Sequence, residues 1–184
     1  MQVNNLWVTV MDSHGEYRRI NWTDKYNFVR NALDCPSPGY VIHEAINWSP
    51  HMRKWIFMPR RISHEAYNDV LDEKRGSNKV VIVDESFTNF QIVDVKMANN
   101  DGLHGFSSFA FIPETNDKHV IALRSVEEGC AGDDLDTCKQ RSYIVIFDVL
   151  TGEVLMDEVK IKENMKFEGI EFVNIYTKPP VLSS

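Results

Sequence analysis

Short apolar runs alternate with turn-forming residues along most of the chain. Runs of four to eight residues rich in Val, Ile, Phe, Tyr and Trp, bounded by Gly, Pro, Asn, Asp or Ser, predict β-strands. The predicted strands are Leu6–Val10, Tyr17–Ile20, Tyr40–Ile46, Lys54–Met58, Asn78–Val83, Phe90–Val95, Ser107–Ile112, His119–Arg124, Ser142–Val149, Glu153–Met156, Glu158–Lys162 and Glu168–Asn174. The pattern therefore predicts a mostly β protein.

Helical periodicity is confined to two stretches. The first runs from Asp24 to Leu33, with Thr23 as its N-cap and the breaker sequence Cys35–Gly39 (CPSPG) after its end. A second, weaker helical pattern covers Ser63 to Glu73. Helices are therefore a minor part of the predicted fold.

Three segments, His43–Trp48, Gly105–Phe109 and Phe167–Phe172, start with a polar residue or acid on an otherwise apolar strand. Glu44, Ser107 and Glu168 follow one another at nearly equal intervals. Many short strands favour a sandwich, a barrel or a propeller, and an interval of about 60 residues leaves room for a four-stranded propeller blade. Because the innermost strand of each blade lines a central channel, the three residues are expected to converge on that axis.

Composition and charge exclude several classes of protein. The chain has 184 residues, 43% of them hydrophobic, and 20 Lys and Arg against 27 Asp and Glu give a net charge of −7. No basic field is available for DNA or RNA, so a nucleic-acid partner is not expected. The longest apolar runs fall far short of the roughly 18 residues of a membrane span, and the first ten residues show no signal-peptide pattern.

Three cysteines are too few for a disulfide framework. Cys130 and Cys138 bracket the polar loop AGDDLDT. A short-range bridge in an oxidising compartment and two free surface thiols both remain open from the sequence.

Six ordered blocks resemble one known family, the soluble calcium-activated nucleotidases or apyrases. The blocks are His43–Ser49, Arg53–Arg61, Asp72–Asn78, His104–Phe109, Ala122–Ser125 and Lys166–Phe172. The resemblance implies a five-bladed β-propeller with calcium in its central channel. It also implies calcium-dependent hydrolysis of nucleoside di- and triphosphates of the UDP, GDP and ADP class, within the secretory pathway or after secretion.

The predicted strands are too few for a complete propeller of that family. Five blades of four strands need about 20 strands, so we expect residues 1–184 to form a partial propeller domain of about three C-terminal blades. The N-terminal blades and the family's leader would be absent. An open propeller leaves unpaired blade edges, so a homodimer is one expectation. The alternative function is a catalytically inactive, truncated propeller that acts as an interaction module.

The resemblance assigns calcium ligation to Glu44, Ser107 and Glu168. Calcium takes six to eight oxygen ligands, and carboxylates with a serine oxygen are of the right chemical type. Water or the absent blades would supply the remaining ligands. Without the resemblance, a glutamate on a strand is more simply read as solvated or salt-bridged.

Arg60 and Arg61 are the predicted phosphate-binding residues. A guanidinium group can donate two parallel hydrogen bonds to phosphate oxygens. Strand alternation sends the two side chains to opposite sides, and the resemblance favours Arg60 as the one that faces the site. The alternative is a surface arginine paired with Glu65 or Asp69. No catalytic residue is assigned, because the resemblance places the general base in the absent blades.

Overall fold

The computed structural model describes residues 6–130 and 137–173. Within these ranges the protein is all-β, with antiparallel sheets and two helices. The elements are β1 (Trp7–Met11), β2 (Tyr17–Asn21), α1 (Thr23–Ala32), β3 (Tyr40–Ile42), β4 (Ala45–Ser49), β5 (Lys54–Met58), β6 (Arg61–Ser63), α2 (Asp69–Asp72), β7 (Lys79–Asp84), β8 (Phe90–Asp94), β9 (Gly105–Phe111), β10 (His119–Glu128), β11 (Lys139–Asp148) and β12 (Val154–Lys160). No helix of the described residues is long and apolar enough to cross a membrane.

Two four-stranded sheets dominate the fold. The first sheet has the order β4-β5-β7-β8 and the second sheet the order β9-β10-β11-β12. In both, neighbouring strands follow one another along the chain, apart from the short β6, and pair antiparallel. Two smaller ribbons, β1-β2 and β3-β6, complete the pairing.

Side-chain alternation on β5 explains how the layers pack. Ile56 and Met58 belong to the core shared with the second sheet, where Phe106 also lies. Phe57, between them, points to the other face and packs in a core with Val29 of α1. Successive strand residues face opposite sides of a sheet, so a strand that is apolar throughout is buried on both faces. The first sheet is thus the middle layer between α1 and the second sheet.

The two large sheets meet along β4 and β9. The Asn47 side chain donates a hydrogen bond from Nδ2 to the Phe109 carbonyl oxygen at 2.9 Å. At the far end of β4, Ser49 Oγ donates to Asp117 Oδ2 at 2.7 Å. These contacts bring β4 and β9 side by side, so Glu44, just before β4, and Ser107, on β9, lie in the same region of the molecule.

The helices differ from the sequence prediction mainly in their ends. Helix α1 begins at Thr23, and its N-cap is Trp22, which makes no side-chain capping bond. The Thr23 hydroxyl instead accepts a hydrogen bond from the Leu6 amide at 2.8 Å. The second predicted helix, from Ser63 to Glu73, was too long: only Asp69–Asp72 is helical, and Asn68 caps it through the Leu71 amide.

Strand boundaries differ from the prediction where the chain has to bend. The predicted strand Tyr40–Ile46 is two strands, separated at residues 43 and 44, because β3 pairs with β6 while β4 pairs with β5. The two strands predicted over residues 153–162 are one strand, β12. Its pairing with β11 shifts register at two points. Strand β6 was not predicted.

The predicted strand Glu168–Asn174 is not a strand in the residues that the structure describes, which end at Val173. A strand needs a hydrogen-bonded neighbour, and residues 168–173 form no ladder with the described part of the chain. Glu168 therefore lies in an irregular segment and not on a strand.

Candidate functional site

The segment after β12 is held against the second sheet by two buried serines, Ser107 of β9 and Ser142 of β11. Ser142 Oγ accepts a hydrogen bond from the Phe167 amide and donates to the Met165 carbonyl, both at 2.9 Å. Ser107 Oγ lies 3.2 Å from the Phe167 carbonyl oxygen, to which it donates. These side-chain hydrogen bonds take the place of the backbone hydrogen bonds that a strand would form with its neighbour. They hold Lys166 and Glu168 beside β9.

Lys166 lies among three carboxylates from distant parts of the chain. Its Nζ is 2.8 Å from Glu168 Oε1, 3.7 Å from Glu127 Oε1 and 3.8 Å from Glu44 Oε1. Together with Arg60, these residues form what we call the Lys166 cluster: Glu44, Arg60, Glu127, Lys166 and Glu168. Residues separated by more than 120 positions along the chain thus meet around one ammonium group.

Arg60 forms the buried floor of the Lys166 cluster. Its Nη1 donates to both oxygens of Glu44, at 3.0 and 2.8 Å, and its Nη2 donates to Glu127 Oε2 at 2.5 Å. The side chain is 3% exposed. Gly105 makes room for it, since a Cβ atom there would lie 2.4 Å from the Arg60 carbonyl oxygen. Any larger residue at position 105 would displace Arg60.

The Lys166 cluster has an excess of negative charge and is open to solvent. Three carboxylates surround two cationic side chains, and the exposed fractions of Glu44, Glu127 and Glu168 are 24%, 27% and 64%. A carboxylate excess beside a buried guanidinium suits a site that admits a further cation.

The oxygens of the cluster fit calcium in their chemistry. Carboxylate and hydroxyl oxygens are the ligands that this hard cation prefers. Within the described residues, however, no three acidic, histidine or cysteine side chains lie close enough together to hold a metal ion as they stand. The Lys166 ammonium occupies the space among the three carboxylates.

Arg61 lies at the edge of the Lys166 cluster and pairs with α2. Its Nε is 3.2 Å from Asp72 Oδ2, and its Nη1 donates to the Glu73 carbonyl oxygen at 2.7 Å. Burial lowers the pKa of its guanidinium, and the neighbouring charge of Arg60 lowers it further. Arg61 thus anchors α2. The alternative of a surface arginine is wrong for both residues, because each is 2% exposed.

His43 precedes Glu44 but belongs to the apolar side of this region. The centroid of its ring lies 4.8 Å from that of Tyr26, with the two planes tilted by 43°, and 5.9 Å from that of Phe57. Burial, helped by the charge of Arg30, lowers the pKa of His43 to about 4. His43 is therefore neutral near pH 7 and adds no charge to the cluster.

Sequence reasoning missed Glu127. The predicted strand ended at Arg124, where two polar residues follow one another, but β10 continues to Glu128. A β-bulge between Leu123 and Arg124 changes the register there, which strand alternation alone does not anticipate. Extending the strand by four residues would have placed Glu127 at the same end of the sheets as Glu44.

The turn after β10 contains a disulfide. Cys130 and Cys138 are bonded, with their Cα atoms 4.2 Å apart, which decides a question that the sequence left open. The Glu73 carboxylate accepts hydrogen bonds from the Gly129 and Cys130 amides, at 2.9 and 2.6 Å. Arg61, α2 and the disulfide are thereby linked at the rim of the cluster. Residues 131–136 lie outside the described part of the chain.

A second buried charge cluster lies on the second sheet and has a different composition. Arg124 donates from Nη1 to Glu158 Oε1 at 3.0 Å and from Nη2 to the His104 carbonyl oxygen at 2.8 Å. Its guanidinium also lies over the Phe106 ring, 5.1 Å from the centroid. His104 Nδ1 is 2.9 Å from Glu158 Oε2. We call Arg124, His104 and Glu158 the Arg124 cluster.

Comparison with known proteins gives a single answer for most of the chain. The family model described as Apyrase matches residues 1–173. The chain is 40% identical to "Apyrase apy-1" of Caenorhabditis elegans over 167 residues, which are 91% of this chain and 44% of that protein. It is 38% identical to "Soluble calcium-activated nucleotidase 1" of Rattus norvegicus over 92% of this chain and 39% of that protein.

A third relative agrees with these two. The chain is 36% identical to "Apyrase" of Cimex lectularius over 170 residues, which are 92% of this chain and 44% of that protein. The chain therefore spans less than half the length of the curated relatives it matches.

Proposed function

The chain belongs to the apyrase family, and we propose that the protein hydrolyses the phosphoanhydride bonds of nucleoside di- and triphosphates in the presence of calcium. UDP, GDP and ADP are the proposed class of substrate. The observation that carries the proposal is the Lys166 cluster, in which three carboxylates and a buried guanidinium converge beside a buried serine. One relative is itself named as calcium-activated.

Glu44, Glu168 and Ser107 are the proposed calcium ligands. Glu44 and Glu168 present carboxylate oxygens to the same point, the position of Lys166 Nζ. Ser107 lies beside them through its hydrogen bond to Phe167. Bound calcium would supply a hard positive charge that polarises phosphate oxygens and orients water.

Arg60 is proposed to offset negative charge on the substrate phosphate. Its two-pronged bond to Glu44 holds the guanidinium rigid, while its Nη2 faces Glu127 at the open side of the cluster. A donor fixed in place before the reaction stabilises developing charge without reorganisation. Arg61, committed to Asp72 and Glu73, is proposed to act through the position of α2 and the adjacent backbone.

The larger architecture that we propose is a five-bladed β-propeller to which residues 1–184 contribute a part. The first and second sheets are each four-stranded antiparallel meanders that pack face to face, as neighbouring blades do. The β1-β2 ribbon would be the outer pair of a preceding blade. The Cys130–Cys138 bond supports a secretory or extracellular location, since disulfides persist in oxidising compartments.

The test of this function is phosphate release from UDP, GDP and ADP by the purified protein in calcium and in excess chelator. We expect release in calcium and at least a 100-fold lower rate in chelator, the scale on which losing the metal's charge stabilisation acts. Circular dichroism in both buffers checks that the protein stays folded. Equal rates in calcium and chelator from folded protein would contradict the proposed calcium dependence, and absence of release would contradict the proposed hydrolysis.

A further inference from the structure

The Lys166 ammonium occupies the position that a cation bound by the three carboxylates would occupy. It contacts one oxygen each of Glu44, Glu127 and Glu168, and its side chain is 15% exposed. No other lysine or arginine among the described residues contacts three carboxylates. The ammonium thus partly neutralises the acidic side chains that would otherwise repel one another.

An ammonium and a divalent cation cannot share these oxygens. Like charges within about 4 Å repel strongly at the effective dielectric constant of a protein surface, so binding of one expels the other. Arg60 cannot leave easily, because it is buried and held by two carboxylates. Lys166 can leave, because it has a flexible four-carbon stem and lies in the irregular segment after β12.

We propose that Lys166 is the built-in counter-ion of the calcium site: a divalent cation displaces its ammonium, which then binds a phosphate oxygen of the substrate. This inference rests on the proposed function, since it takes calcium as the cation and a nucleotide phosphate as the anion. The consequence is an order of events at the site. A bound cation occupies the space among the three carboxylates and releases the Lys166 ammonium, which can then bind phosphate. Binding of the cation and binding of the phosphate therefore each favour the other.

Three substitutions separate the charge of Lys166 from its bulk. Lys166→Met removes the ammonium and keeps a long apolar stem, and Lys166→Arg keeps the charge. Lys160→Met is the matched control, because Lys160 donates only to Asn164 Oδ1 on the exposed side of the same region. All are made in the protein at its full natural length.

The first measurement is calcium affinity by isothermal titration calorimetry, without nucleotide. We expect Lys166→Met to bind calcium about tenfold more tightly than the wild type, because the cation no longer competes with a tethered charge. Lys166→Arg and Lys160→Met should stay within about threefold of the wild type. If Lys166→Met does not fold, Lys166→Gln takes its place.

The second measurement is binding of inorganic phosphate at saturating calcium. We expect the affinity of Lys166→Met to fall about tenfold, since it lacks the released ammonium, while Lys160→Met is unchanged. An unchanged or weaker calcium affinity in Lys166→Met would overturn the counter-ion role, and unchanged phosphate affinity would overturn the transfer of the ammonium to phosphate. A wild-type protein that binds no calcium would instead overturn the calcium site of the proposed function itself, and this inference with it.

Discussion

Arg60 and Arg124 are both buried arginines that pair with carboxylates, yet their surroundings differ in charge balance. The carboxylates bound by Arg60 are about a quarter exposed and share a second cation, Lys166. Arg124 pairs with a single carboxylate, Glu158, which is 13% exposed and also contacts His104. The Lys166 cluster has an acidic excess that faces solvent, whereas the Arg124 cluster is neutralised within the fold.

The difference shows how a structural ion pair can be separated from a candidate site. The Arg124 cluster joins the start of β9 to the outer strand β12, so its interactions hold one sheet together. The Lys166 cluster joins segments that precede β4, end β10 and follow β12, and its carboxylates are 24% to 64% exposed. Burial alone does not mark a functional residue, whereas burial next to an exposed excess of one charge does.

The largest effect on stability is expected from Arg124→Met. Removing the guanidinium leaves Glu158, which is 13% exposed, with only the neighbouring His104 ring as a partner, so the free energy of unfolding should fall by about 3–5 kcal/mol. Urea denaturation monitored by tryptophan fluorescence measures the change. Calcium affinity should not change, provided that the variant is folded. A loss below about 1 kcal/mol would show that the Arg124 cluster does not hold the sheet together.

A smaller loss of stability is expected from Arg60→Met. Glu44 and Glu127 keep both Lys166 and access to water, so the free energy of unfolding should fall by about 1–2 kcal/mol. The rate of nucleotide hydrolysis should nevertheless fall at least 100-fold, because a fixed charge at the phosphate site is lost. A destabilisation equal to that of Arg124→Met, with activity kept, would erase the distinction between the two clusters.

The smallest effect is expected at Asp84, an exposed carboxylate that is held by neutral donors. It accepts hydrogen bonds from the amide and hydroxyl of Thr88 and from Asn89, and these bonds hold its pKa well below the usual range. A carboxylate with a lowered pKa in the folded state stabilises the protein above its unfolded-state pKa, near 3.8. That stabilisation is lost as the pH falls through the folded-state pKa.

Thermal melts of Asp84→Asn and wild type between pH 7 and pH 2 test this prediction. The difference in melting temperature should be constant near neutral pH and should shrink below about pH 4. Added salt should change it little, since no cation is involved, whereas salt should change the stability of Arg60→Met relative to wild type. A difference that grows on acidification would contradict the assignment.

The sequence predicted most strands of the two large sheets and helix α1 because their signals are local. Alternation and turn residues define β5, β7, β10 and β11 without any knowledge of the neighbouring strands. The near-equal spacing of Glu44, Ser107 and Glu168 also gave the expectation of convergence, and all three lie in one region of the structure.

The features that could not be predicted from the sequence depend on contacts with segments that are distant along the chain. Strand β6 exists because β3 lies beside it, and residues 168–173 are not a strand because the described chain offers them no neighbour. The contacts of Lys166 with Glu127 and Glu44 depend on how two sheets and one irregular segment pack. No periodic pattern in the sequence predicts that these three residues will contact one another.

The central claim is that the carboxylates around Lys166 form a cation site, and a calcium titration of the double variant Glu44→Gln/Glu168→Gln tests it most directly. Glu128→Gln is the control, because Glu128 is next to Glu127 in sequence but pairs with Arg141, outside the cluster. By calorimetry, we expect the wild type and Glu128→Gln to bind calcium with affinities within about twofold, and the double variant to bind at least 100-fold more weakly. Calcium affinity in the double variant equal to that of the wild type would contradict the account.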